Sequence, residues 1–91
     1  MNEITYRDDF KLILGTEITI LDKDDSAIIP LDIFDEMYEA WNNEESAFFH
    51  NSYSFEYLRG PALVHIETPD AVIDVPAVVW TKMLSDYMRY M

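Results

Sequence analysis

Two stretches of the chain run through the same order of apolar and polar positions. Glu17-Ile-Thr-Ile-Leu21 alternates, breaks at the polar turn Asp22-Lys-Asp-Asp-Ser26, resumes in a short apolar run and meets Pro30. Apolar residues then recur at three- and four-residue spacing, at Leu31, Ile33, Phe34, Met37, Tyr38 and Trp41. With Pro30 aligned on Pro76, Leu63-Val-His-Ile-Glu67, the turn Thr68-Pro-Asp70 and the set Ala77, Val79, Trp80, Met83, Leu84 and Tyr87 fall opposite them. A period of two that switches to 3.6 predicts strand, turn, strand, helix in each half. Pro30 and Pro76 are expected at the first helical position, where the missing N–H is not needed, and each holds the preceding Ile29 or Val75 extended.

A further strand is predicted ahead of each unit, Phe10 to Leu14 ending at Gly15 and Tyr53 to Leu58 ending at Gly60-Pro61, with the glycines marking hairpin turns. The expected fold class is α+β, a mainly antiparallel sheet of four to six strands with two helices packed on one face. Its strand-strand-helix unit would be pseudo-duplicated over halves 1–45 and 46–91. Small α+β domains reuse this order, so duplication and chance similarity both stay open.

Length and composition bound the class. At 91 residues, 49% hydrophobic and 14% aromatic, the chain is too apolar for disorder. Folding should remove about 65% of the extended-chain surface, enough for one core and so for one domain spanning 1–91. No apolar run approaches the roughly 18 residues of a membrane span, and Met1-Asn2-Glu3 does not begin a signal peptide. A soluble cytoplasmic protein is expected, in the host cytoplasm if phage-encoded, with no membrane partner. Without cysteine there is neither a disulfide nor a thiolate.

Charge is distributed unevenly along the chain. Residues 1 to 45 carry thirteen acids against three bases, while residues 46 to 91 carry five against three, so −10 of the net −12 lies in the first half. At 100° per residue, Asp32, Asp35, Glu36 and Glu39 share the polar arc of the first predicted helix, opposite its apolar arc. They form four like-charge pairs at three- and four-residue spacing, each costing roughly 0.2–0.5 kcal/mol. The corresponding positions of the second helix are Val78, Thr81, Lys82 and Ser85, with no acid among them. A shared scaffold therefore does not require these acids. Asp22, Asp24 and Asp25 before the helix and Glu44 and Glu45 after it extend the acidic row. The expected partner surface is basic.

Other chemistry is weaker. Asp22-Lys-Asp24-Asp25-Ser26 begins like a calcium loop, but Ala27 stands at the glycine position and Ile33 where the bidentate glutamate belongs. His65 is expected to form a surface pair with Glu67, and the isolated His50 has no acid motif beside it, so no metal site or general base is assigned. No nucleophile elbow, zinc-protease helix or glycine-rich phosphate loop occurs. No enzyme activity, cofactor or catalytic residue is expected. With only six Lys and Arg, direct nucleic-acid binding is disfavoured. Tyr53, Phe55 and Tyr57 alternate onto one strand face and, with Phe48 and Phe49, suit either the core or a dimer or partner interface. The apolar terminal helix is a second surface through which a homodimer would form.

In size, acidity, lack of cysteine and a carboxylate-lined helix, the chain resembles the small DNA-mimic inhibitors encoded mostly by phages, among them anti-restriction proteins, anti-CRISPR proteins and uracil-DNA glycosylase inhibitors. The resemblance is compositional and carries no diagnostic motif. It implies a stoichiometric inhibitor of a basic DNA-binding protein or nuclease, with Asp32, Asp35, Glu36 and Glu39 in place of phosphates. Two other readings stay open. One is an immunity protein or antitoxin against a cognate basic toxin, and the other is a non-enzymatic oligomerisation module.

Overall fold

A computed structural model describes residues 2–90. Strands β1 (Asn2–Thr5), β2 (Lys11–Leu14), β3 (Glu17–Leu21) and β4 (Ser26–Pro30) lead into helix α1 (Leu31–Asn42). Strands β5 (Ala47–His50), β6 (Tyr53–Leu58), β7 (Leu63–Glu67) and β8 (Val72–Pro76) lead into helix α2 (Ala77–Tyr90). Each set of four strands is an antiparallel meander in chain order. The fold is α+β with helices on antiparallel sheets, as the periodicity predicts, but there are two four-stranded sheets rather than one of four to six strands.

The sheets approach each other along β4 and β8 without joining. Pro30 and Pro76 end these two edge strands and offer no N–H to a continuous ladder. Both prolines close a strand, and each helix begins one residue later than the sequence suggests.

The two units superpose in register. A shift of 46 residues carries β3, β4 and the start of α1 onto β7, β8 and the start of α2. It also converts the pairs Ile18↔Ile29 and Ile20↔Ala27 into Val64↔Val75 and Ile66↔Ile73. These inward-facing residues are buried in both sheets, because alternation sends every second side chain to the helix side.

The helices interlock the halves. Phe34 lies 5.9 Å from Trp80 edge to face, a pair that the 46-residue shift maps onto itself. Phe34–Tyr87 at 4.8 Å and Trp41–Trp80 at 6.2 Å exchange with each other under the same shift. This is the pattern of a two-fold, self-complementary contact, here within one chain. Trp41 continues onto Phe55 and Tyr57 of β6, while α2 reaches β2. Tyr6 after β1 donates a 2.7 Å hydrogen bond to Asp86 of α2. Each helix thus runs from its own sheet toward the other, and one buried cluster contains residues of both halves.

Candidate acidic interface

The acidic row is built on α1. Ile33, Phe34, Met37 and Ala40 are buried, which leaves Asp32, Glu36 and Glu39 exposed and Asp35 half-buried at the edge of the apolar arc. Asp32 sits in the first turn and its Oδ1 accepts from the Ile33 N–H at 3.0 Å, at the end of the helix where the dipole favours an anion. Asp35 accepts a 3.2 Å hydrogen bond from the Tyr87 hydroxyl, which fixes that carboxylate against α2. Burial and then the Asp35 charge push the Tyr87 phenol up to about 12. Glu36 lies 3.8 Å from His50 Nδ1. His50 is therefore not isolated, as its sequence neighbourhood suggests; the fold brings an acid to it.

The end of α1 carries its acids against local electrostatics. No basic residue lies in the last turn, where Lys or Arg would complement the negative helix terminus. The helix closes on two hydrogen bonds, Glu44 N–H to the Trp41 carbonyl and Glu45 N–H to the Ala40 carbonyl, both 3.0 Å. These are the two bonds of a Schellman motif, with Glu44 at φ 61° in the left-handed position that glycine usually fills. Glu44 and Glu45 line an open cleft with Trp41, Tyr57 and Arg59.

The remaining acids of the row are farther away. Asp22 Oδ1 accepts the N–H groups of Asp24 and Asp25 at 2.8 and 2.7 Å, so its carboxylate closes the β3–β4 turn. This turn stands at the opposite end of β4 from Asp32, about 16 Å along five strand residues. The α1 acids, Glu44 and Glu45 follow one helix and its cap, while Asp22, Asp24 and Asp25 form a separate acidic turn.

The aromatics divide. Phe55 is buried, Phe48, Tyr53 and Tyr57 are half-buried against the core, and only Phe49 is largely exposed, at 75%. Of the five, Phe55 is thus internal and Phe49 is the one that projects.

One cluster is only half visible in the sequence. On the outer face of the second sheet, His65 Nδ1 lies 2.6 Å from Asp74 and Nε2 lies 3.0 Å from Glu67. Glu67 is visible from strand alternation, but Asp74 arrives through the β7–β8 register. Hydrogen bonding to Asp74, then to Glu67, raises the His65 pKa above its ordinary value, with burial opposing. Among the described residues, no group of three or more ligating side chains is placed to hold a metal ion.

Comparison with known proteins finds no matching family model, curated protein or solved structure.

Proposed function

We propose that the chain is an acidic inhibitor that occupies the basic DNA-binding surface of a nuclease, another DNA-processing enzyme or a nucleoid protein. The observation that carries this reading is the lack of internal compensation. Among the described residues, none of Asp22, Asp24, Asp25, Asp32, Asp35, Glu36, Glu39, Glu44 and Glu45 lies within 4.0 Å of a Lys or Arg nitrogen, and only Glu36 approaches a histidine. Lys11, Arg7 and Arg89 pair with other acids. The negative field is therefore available to a partner.

Geometry and energy point the same way. Asp32 and Glu36 are one step of about 6 Å apart on the helix, a spacing on the scale of phosphates along a nucleic-acid strand. Like-charge pairs on α1, an acidic helix C-terminus and a glutamate in the left-handed cap each lower stability. Such losses are expected where binding gains from them. Association should be fast and weakened by salt. In this reading Asp32, Asp35, Glu36 and Glu39 are the phosphate surrogates, with Glu44, Glu45 and the Asp22–Asp25 turn at the margins.

The test compares the native chain with a variant combining Asp32→Asn, Asp35→Asn, Glu36→Gln and Glu39→Gln as bait in bacterial lysate at low and raised salt. The amides keep the Ile33 and Tyr87 hydrogen-bond acceptors. Retention of a DNA-binding protein by the native chain alone, with release by duplex DNA, is the expected result. A partner held equally by both baits and insensitive to salt and DNA rejects mimicry. The exposed Phe49 favours a second reading, a cognate toxin inhibitor, in which Phe49→Ala alone would abolish capture.

A further inference from the structure

The edge of the second sheet differs from its counterpart in the first. β1 and β5 each occupy an outer edge of a meander. β1 carries Glu3, which pairs with Lys11 at 3.6 Å, and charged side chains on an edge discourage further pairing. β5 reads Ala-Phe-Phe-His, with no lysine, proline or bulge and with Phe49 projecting. The Tyr57 N–H donates to the Ser46 carbonyl at 2.8 Å, and Ala47 stands opposite Glu56 in the same register. Hydrogen-bonded pairs alternate in an antiparallel ladder. Phe48 and His50 therefore bond to β6, while the backbone groups of Ala47 and Phe49 face outward. Among the described residues they have no partner. This is a free edge of strand-accepting geometry.

Charge selects the occupant. Glu44 and Glu45 flank the start of β5, beside the cleft that also holds Trp41 and Tyr57, where two carboxylates outnumber the single Arg59. Glu36 lies by its other end, against His50. A second copy pairing antiparallel would bring these acids against their own kind. A basic extended segment would place lysines or arginines near Glu36, Glu44 and Glu45, with an apolar residue against Phe49. We propose that the β5 edge docks an extended, basic segment of the partner by strand addition, through the Ala47 and Phe49 backbone and the acids at either end. The inference rests on the reading of a basic partner and adds how that partner is gripped.

The test uses the full ¹⁵N-labelled chain and an acetylated octapeptide alternating lysine and valine. A lysine–proline octapeptide of equal charge, which cannot continue a ladder, and a glutamate–valine octapeptide serve as controls. The expected result is amide exchange slowed tenfold or more at Ala47 and Phe49 by the lysine–valine peptide alone. Ala47→Pro should abolish the effect at Phe49 while leaving salt-sensitive shifts on α1. Equal shifts by both lysine peptides, without protection at Ala47 and Phe49, overturn strand addition yet leave the acidic surface of α1 intact. Protection that grows with protein concentration and needs no peptide also overturns the proposal, in favour of a second copy. Lysate capture can fail independently of either outcome, so the two readings are separable.

Discussion

Replacing Glu44 by glycine should stabilise the protein. Glu44 holds φ 61° at the cap of α1, beyond a last turn that carries no cation. A non-glycine residue in this conformation costs roughly 1–2 kcal/mol, and a carboxylate at the helix C-terminus costs about 0.3–1 kcal/mol at low salt. Against these gains, glycine loosens the unfolded chain by about 0.4–1 kcal/mol. The balance is a gain of about 1 kcal/mol, or roughly 4–8 °C in Tm for a domain of this size. Glu44→Ala separates the contributions, because it removes the charge and keeps the left-handed strain. In urea titrations the gain from Glu44→Ala should fade at 1 M salt, where the Debye length is about 3 Å. The further gain of Glu44→Gly over Glu44→Ala should persist. If glycine is no better than alanine at either salt, the left-handed cap is not present and the account of the helix end is wrong.

Two more perturbations probe the core and the surface cluster. Phe34→Ala removes the aromatic at the centre of the two-fold contact and should cost about 3–5 kcal/mol, a large share of the about 5–14 kcal/mol expected for 91 residues. Trp41 of the first half and Trp80 of the second meet edge to face in the shared core, so tryptophan fluorescence and far-ultraviolet dichroism should report one coincident transition at lower urea, whereas separate transitions would mean that the halves fold independently. His65 should titrate above its usual value of about 6.5, because Asp74 and Glu67 favour the imidazolium. Its folded pKa exceeds the unfolded one, so its contribution is full below about pH 6.5 and is lost as pH rises through the folded pKa. The stability difference between the native chain and His65→Gln should accordingly shrink from pH 6 to pH 9, and an NMR midpoint at or below 6.5 would refute the cluster.

The local elements were legible because burial imprints its period on the chain. The strands around Ile18, Ile20, Val64 and Ile66 and the helices around Phe34 and Trp80 follow from alternation and 3.6-residue spacing alone, since each must bury one face. The polarity of Asp32, Glu36 and Glu39 on α1 follows by the same rule. β1 was not legible, as Asn2–Thr5 has only Ile4 partly buried and hence almost no pattern. β5 has two half-buried residues followed by two exposed ones, without alternation. Ladder hydrogen bonds define these edge strands more than a buried face does.

The remaining features are non-local. Whether β4 and β8 join into one sheet depends on backbone partners 46 residues apart, and two terminal prolines and two separate meanders leave them side by side. The meeting of Phe34 with Tyr87, the Asp35–Tyr87 bond and the approach of Asp74 to His65 arise from packing and register, which no local period encodes. Glu44 gives no sign in sequence that it occupies a glycine position, because the helix end is set by where the chain must turn toward β5. The acidic composition and the apolar faces belong to the sequence; which acids stand together, and which edge stays open beside them, belong to the fold.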